Sequence, residues 1–177
     1  NVGSEIPVSE VTLVSENGLD EVRHGKTLQL IPNYTPIGSF PGESKWYSNN
    51  TSLATVDENG LVKAIDFDYS QPHSFYVQNG YPVVTITHVA DNISSVFKVK
   101  ILPAVPEKIV VSNPPPSSLQ IGQSWDMGDI YILPAEAEQK VTIISTYDGQ
   151  FGGEIGSSFT ASKVGVMNIL ITAMGEH

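Results

Sequence analysis

Short apolar runs that alternate with polar residues constrain this chain more than any other feature. Phe97, Val99 and Ile101, for example, are separated by Lys98 and Lys100, so a strand here would turn one face to a core and the other to water. The chain holds 15 glycines and 12 prolines, which favours many short strands and turns. Dipeptides suited to tight turns separate the runs, among them Asn17-Gly18, Asn59-Gly60, Asn79-Gly80 and Asp148-Gly149. The sequence therefore predicts an all-β fold.

An internal repeat divides the chain into two halves. The spacings between its anchor residues agree to within one residue, and the anchors are Val11, Gly25, Pro36, Trp46 and Val62 in the first half and Ile109, Gly122, Pro134, Ile143 and Phe159 in the second. Between the halves, Pro103 and Pro106 lack backbone donors and favour an extended link. We therefore predict two tandem domains of one fold, spanning residues 1–103 and 104–177.

The charge of the chain excludes some classes of partner. Nineteen acidic residues oppose 9 basic ones, which gives a net charge of −10 and an isoelectric point near 4.6. Such a chain repels phosphate backbones, so no nucleic-acid partner is expected. No apolar stretch reaches the roughly 18 residues that a membrane span needs. No cysteine is present, so disulfides and thiol chemistry are unavailable.

Catalytic and metal-binding patterns are weak. His24, His73, His88 and His177 show no metal-ligand spacing, and the glycine-rich run 153–158 lacks the spacing of a nucleophile elbow. Spacing alone leaves open a pair of carboxylates for glycoside hydrolysis, but neither a match to an enzyme family nor a size that would form a cleft supports one. We expect no enzyme, no cofactor and no metal site. His88 lies on the core-facing register of its strand, where a hydrogen-bonded structural histidine is expected.

The most specific motif is the run Ala54-Thr55-Val56-Asp57-Glu58-Asn59-Gly60-Leu61-Val62-Lys63-Ala64. Other positions of the same pattern are Gly25, Thr27, Leu28, Leu30, Pro36, Trp46, Ser48 and Asn50 before it, and Thr85-Ile86-Thr87 after it. The pattern resembles the bacterial immunoglobulin-like domain, group 2, over roughly residues 8–102. The second half follows it through the repeat, with Ile143 in place of the tryptophan and Ser157 in place of Gly60.

The resemblance implies a small immunoglobulin-like β-sandwich that serves as a module of bacterial cell-surface and secreted proteins, including intimin- and invasin-like adhesins. Such modules also accompany glycan-degrading enzymes as non-catalytic appendages, and the family shares no catalytic residues. We therefore expect an extracellular module of an adhesin, or a spacer that presents a neighbouring domain, with a protein or glycan of the cell surface as partner. The alternative is a carbohydrate-binding or accessory module of a glycan-utilisation protein. The residues expected to form the core are Leu28, Leu30, Trp46, Val56, Val62 and Ile86.

The first domain carries an insertion at residues 65–79 that the second lacks. Its aromatic and histidine side chains, together with the tyrosine just beyond, are candidate ligand-binding residues: Phe67, Tyr69, His73, Phe75, Tyr76 and Tyr81. Exposed aromatics on a loop can stack on sugar rings or anchor a protein partner. The alternative is that Phe75 and Val77 form an extra edge strand and the aromatics cover the end of the sandwich. Asp66 and Asp68 supply too few oxygen ligands for calcium.

The second domain is shorter than the first at its carboxyl end. Sequence for two strands follows Gly80, whereas sequence for one strand follows Gly165. We therefore expect the second domain to lack its last strand. Either the chain is cut from a longer array, or the open sheet edge is completed by a partner, since an unpaired edge is a template for strand pairing.

Overall fold

The computed structural model describes residues 6–65, 77–78 and 80–173. The chain divides into two compact units, the first ending at Pro103 and the second beginning at Ala104. The alternating runs form strands in both units, and no helix occurs among the described residues.

Unit 1 is a sandwich of two sheets. Its strands are β1 (Glu10–Ser15), β2 (Glu21–Arg23), β3 (Thr27–Thr35), β4 (Ser44–Ser48), β5 (Ala54–Val56), β6 (Leu61–Ala64), β7 (Val77–Gln78), β8 (Tyr81–Ala90) and β9 (Ile93–Leu102). One sheet has the order β1-β3-β6-β5 and the other β2-β9-β8-β4, with β7 paired to β8. All pairs are antiparallel except β2 with β9. This arrangement is the strand order of an immunoglobulin sandwich, with β2 added to the second sheet.

The core of unit 1 lies between these sheets. Leu28 and Leu30 of β3 and Val62 of β6 face Ile86 of β8 and Val99 of β9, and all are buried. The alternation of each strand explains this, because every second side chain points to the same face. Trp46 and Val56 are partly buried and pack against this cluster.

Unit 2 repeats the design with shorter sheets. Its strands are β10 (Lys108–Val111), β11 (Ser124–Asp126), β12 (Ile130–Leu133), β13 (Val141–Tyr147), β14 (Gln150–Glu154), β15 (Ser158–Thr160) and β16 (Met167–Ala173). β10 pairs with β12, β11 with β15, and β13 lies between β14 and β16. The main core cluster is built on Trp125, Met127 and Ile143, with Phe159 and Ile169 packed against it.

The all-β class and the pair of immunoglobulin-like sandwiches predicted from the sequence are confirmed. Two turns differ in detail from their prediction. Gly18 and Gly60 have φ values of 74° and 81°, but neither Asn17 nor Asn59 is among the residues with positive φ, so each turn has one left-handed residue. At Asp148-Gly149 both residues are left-handed, with φ of 48° and 81°, as a tight hairpin requires.

Candidate functional site

The polar side chains of the family-like motif form hydrogen bonds with backbone groups of unit 1. The Ser48 hydroxyl donates to the Ala54 carbonyl at 2.7 Å, and the Asn50 side-chain oxygen accepts from the Ser52 amide at 3.1 Å. One carboxylate oxygen of Asp57 accepts from the amides of Asn59 and Leu61 at 2.9 and 2.8 Å. These side chains fix turns, because each one satisfies a backbone group that no strand partner reaches.

A polar and aromatic cluster lies inside the same sandwich. His88 Nε2 and the Tyr34 hydroxyl are 3.0 Å apart, and the rings of His88 and Trp46 lie 4.2 Å apart, centroid to centroid. His88 is only 1% exposed, and this burial lowers its pKa, so the imidazole is neutral at pH 7. Burial, and to a lesser extent the charge of Asp91, raises the pKa of Tyr34. The His88 ring is closed to solvent, and His88 is the hydrogen-bonded structural histidine that its register predicts.

A shallow cleft lies beside the amino end of β4 and the carboxyl end of β8. It has a volume of about 300 Å³, and its walls include Glu43, Lys45, Tyr47, Asp91 and Asn92. Tyr47 is 51% exposed, while the Asp91 carboxylate is held by the Gly42 and Glu43 amides at 3.0 to 3.2 Å. The cleft thus combines an exposed aromatic ring with one carboxylate that backbone amides hold in place. Sequence reasoning missed Tyr47, although its position next to Trp46 on the opposite strand face could have indicated it.

Most of the candidate ligand-binding residues of the insertion are not among the residues that the structure describes. Phe67, Tyr69, His73, Phe75 and Tyr76 lie outside the described residues, as do Asp66 and Asp68. Tyr81 begins β8 and is half-buried, opposite Gln78 of β7. Val77 belongs to the short strand β7, as the edge-strand alternative expects, whereas the role of the aromatics stays a prediction. Over residues 6–65, 77–78 and 80–173, no group of three or more histidine and acidic side chains could hold a metal ion.

The parallel pairing of β2 with β9 forms a seam near the end of unit 1, which we call the β2–β9 seam. The Lys100 amide donates to the Asp20 carbonyl at 2.8 Å, and the His24 amide donates to the Leu102 carbonyl at 2.9 Å. The Arg23 guanidinium reaches the Pro103 carbonyl at 3.1 Å, and Lys100 also forms an ion pair with Glu21 at 3.2 Å. The seam therefore ties the early part of unit 1 directly to its last strand.

Unit 2 has no counterpart of this seam among its described residues. β16 pairs with β13 on one side, and no described strand pairs with its other edge. The expectation that the second domain lacks its last strand stays a prediction.

These features place the chain in a structural class, that of tandem immunoglobulin-like sandwiches. In unit 1, the polar side chains of the family-like motif stabilise turns. No family model matches the chain. One curated relative, a 3-O-alpha-D-galactosyl-alpha-L-arabinofuranosidase of Bifidobacterium longum subsp. longum, is 34% identical over 89 residues. That match covers 48% of the chain, which spans only 7% of the relative's length.

Among solved structures, similar chains include two of the S-layer protein SbsC and one of Drosophila OTK. Domains 4 and 5 of SbsC match 96% of this chain and 95% of theirs, at 14% identity and a TM-score of 0.38. A longer SbsC structure matches 96% of this chain and 27% of its own, at 14% identity and a TM-score of 0.39. Extracellular domains 3–5 of OTK match 93% of this chain and 55% of theirs, at 13% identity and a TM-score of 0.30. In the described part of the chain, no helix is long and apolar enough to cross a membrane.

Proposed function

We propose that the chain is a non-catalytic immunoglobulin-like module of a bacterial cell-surface or secreted protein, in which it bears tension as a spacer or adhesin segment. Its partners are then the neighbouring domains of a longer protein and, through them, a protein or glycan of the cell surface. The resemblance to the group 2 bacterial immunoglobulin-like domain supports this proposal. So does the use of the motif's polar side chains for turns, which leaves them no catalytic task.

The β2–β9 seam is the observation that carries the proposal. Force applied to the two ends of unit 1 pulls β2 from its amino end and β9 from its carboxyl end. Because these strands are parallel, the pull shears the pair, and its hydrogen bonds share the load instead of breaking one at a time. Such a seam raises the force that unit 1 withstands before it unfolds.

Single-molecule force spectroscopy on the whole chain tests this. Forced unfolding depends on the unfolding barrier, so we expect two rupture events, with unit 1 breaking at the higher force. Arg23→Ala removes the guanidinium bond to Pro103 and should lower the force for unit 1. Lys45→Ala removes an exposed cation far from the seam and serves as the matched control. A unit 1 that ruptures at or below the force of unit 2 contradicts the tension-bearing role.

A second candidate function is that of an accessory module that binds carbohydrate. The similarity to the Bifidobacterium galactosyl-arabinofuranosidase favours it, since appended modules often share a chain with glycan-degrading domains. The Tyr47 cleft supplies an exposed ring beside the fixed Asp91 carboxylate.

A glycan array that includes galactosylated arabinofuranosides tests this second function. Tyr47→Ala should abolish binding at the cleft, while Tyr131→Ala, an exposed tyrosine of unit 2, should leave it intact. Loss of binding in Tyr69→Ala or Tyr76→Ala would instead assign the site to the insertion. Silence of the unmodified chain across the array would remove carbohydrate binding from consideration.

A further inference from the structure

The tetrapeptide Glu-Asn-Gly-Leu occurs twice in unit 1, at residues 16–19 and 58–61. Both copies lie at a turn between two strands, the first between β1 and β2 and the second between β5 and β6. Gly18 and Gly60 have similar φ values of 74° and 81°, and each glycine amide donates to the carbonyl three residues earlier, at 3.2 and 3.1 Å. Because the local sequence and the turn are alike, a difference in reactivity between Asn17 and Asn59 has to come from the tertiary structure.

An asparagine that precedes glycine readily loses its side-chain amide. The glycine nitrogen attacks the asparagine Cγ and closes a five-membered succinimide ring, and ammonia leaves with the proton of the glycine amide. Water then opens the ring at either carbonyl and gives aspartate or isoaspartate, each with one added negative charge. Glycine favours this attack because it has no side chain to obstruct the ring and its backbone is permissive. A third pair, Asn79-Gly80, includes a residue outside the described ranges.

The second copy of the tetrapeptide is held against this reaction by its surroundings. The Gln29 side-chain amide donates to the Asn59 carbonyl at 2.8 Å, and the Leu30 amide donates to the Gly60 carbonyl at 3.0 Å. Gly60 is also buried, with the Trp46 ring packed closely against it. Closing the ring rotates the peptide between Asn59 and Gly60, so it breaks both of these bonds and moves the glycine against the core.

The first copy of the tetrapeptide is open to the reaction. Asn17 and Gly18 are exposed, and a Cβ on Gly18 would meet no atom within 4 Å. No described residue donates to the carbonyl of Asn17 or of Gly18. The Leu19 amide donates to Asn17 Oδ1 at 3.0 Å, so the side chain already folds back over the turn. This oxygen gains negative charge when the Gly18 nitrogen attacks Cγ, and the Leu19 N–H is placed to stabilise that charge.

We propose that Asn17 is a site of spontaneous deamidation in the folded protein and that the tertiary structure protects Asn59. The reaction consumes one water and releases one ammonia, so it needs neither an enzyme nor a cofactor. Ring closure at Asn59 breaks two more hydrogen bonds than ring closure at Asn17, namely those from Gln29 and Leu30. We therefore expect Asn17 to react at least about tenfold faster than Asn59 in the folded chain.

The modified residue lies where the chain enters the β2–β9 seam. Asp20, whose carbonyl accepts from the Lys100 amide at 2.8 Å, follows Asn17 by three residues. Glu16, Asp20 and Glu21 are acidic, so a new carboxylate adds a like charge to this segment. In isoaspartate the main chain runs through Cγ and is one atom longer, which alters the turn that leads into β2. The bond between the Lys100 amide and Asp20 should therefore open more often after deamidation.

Peptide mapping of the full chain by mass spectrometry tests the site. Trypsin cleaves after lysine and arginine, so it releases Asn17 in a peptide of residues 1–23 and Asn59 in a peptide of residues 46–63. The folded chain is kept in mildly alkaline buffer, and fragmentation of each peptide follows the conversion of the asparagine amide to a carboxyl group over time. A parallel sample in guanidinium chloride gives the rates without tertiary structure, which we expect to be equal because the two tetrapeptides are identical.

The two samples together separate the effect of the fold from that of the local sequence. An excess of deamidation at Asn17 that disappears in guanidinium chloride supports the proposal. Equal rates in the folded sample, or a faster reaction at Asn59, would overturn it. An excess at Asn17 that persists in guanidinium chloride would also overturn it, because the selectivity would then come from residues outside the shared tetrapeptide and not from the bonds to Gln29 and Leu30.

Hydrogen–deuterium exchange before and after incubation tests the effect on the seam. Asn17→Gln serves as the matched control, since glutamine has to close a less favourable six-membered ring. After incubation we expect the Lys100 amide to exchange at least about threefold faster in the unmodified chain and to stay unchanged in the variant. The Asn49 amide, which donates to Thr85 away from the seam, should stay unchanged in both. Unchanged exchange of Lys100 in a deamidated chain would overturn the effect on the seam. Deamidation requires no force, so this site and the tension-bearing role fail independently.

Discussion

Replacement of Gly60 by alanine isolates the cost of one close approach in the core of unit 1. Gly60 is buried with a φ of 81°, and a Cβ at this position would lie 2.7 Å from Trp46 Cζ2 and 2.8 Å from the Leu30 carbonyl oxygen. Gly18 has a similar φ of 74°, but a Cβ there would meet no atom within 4 Å. The two positions therefore share the backbone penalty and differ in the contact alone.

The magnitudes follow from these distances. An alanine in the left-handed region costs about 1–2 kcal/mol, and the loss of glycine from the unfolded chain offsets about 0.4–1 kcal/mol of that. Both terms apply to Gly18→Ala and to Gly60→Ala, so they cancel in the difference. Crowding a packed core with one extra methyl group costs about 1–3 kcal/mol. We therefore expect Gly60→Ala to lower the free energy of unfolding of unit 1 by about 1–3 kcal/mol more than Gly18→Ala does.

Urea denaturation followed by tryptophan fluorescence measures this difference. Each unit contains one tryptophan, so a Trp125→Phe background makes Trp46 the reporter of unit 1. Far-ultraviolet circular dichroism in the same background checks that the native fold persists. If the two glycine variants lose equal stability, the contact of Gly60 with Trp46 and Leu30 does not constrain the fold, and the reasoning is refuted.

Two further predictions concern polar side chains of unit 1. Asp57→Ala removes the acceptor for the Asn59 and Leu61 amides and should cost about 1–2 kcal/mol in urea denaturation, whereas the exposed neighbour Glu58→Ala should change the stability by less than about 0.5 kcal/mol; similar losses in both would show that the capping bonds contribute nothing. His88 has a lowered pKa, so below its usual value of about 6.5 the unfolded chain binds a proton that the folded chain rejects, and stability should fall as the pH drops from about 7 to 5.5. His88→Gln should flatten that slope in thermal melts at matched pH values, and a slope that the variant retains would assign the titration to another group.

The sequence by itself determined the class of fold and much of the core. Alternating runs such as Phe97 to Ile101 have the side-chain period of a strand, and this period depends on local backbone geometry alone. Leu28, Leu30, Val62 and Ile86 were expected in the core and are fully buried. The register that buries His88 was also visible, since a side chain two residues from a core-facing isoleucine on the same strand points to the same face.

The candidate surfaces depended on contacts between residues distant in sequence. Tyr47 became a cleft residue because the Asp91 turn lies beside it, and the β2–β9 seam joins residues about 80 positions apart. Only the tertiary structure decided these surfaces, because they form where strands distant in sequence pack side by side and no local pattern records that packing.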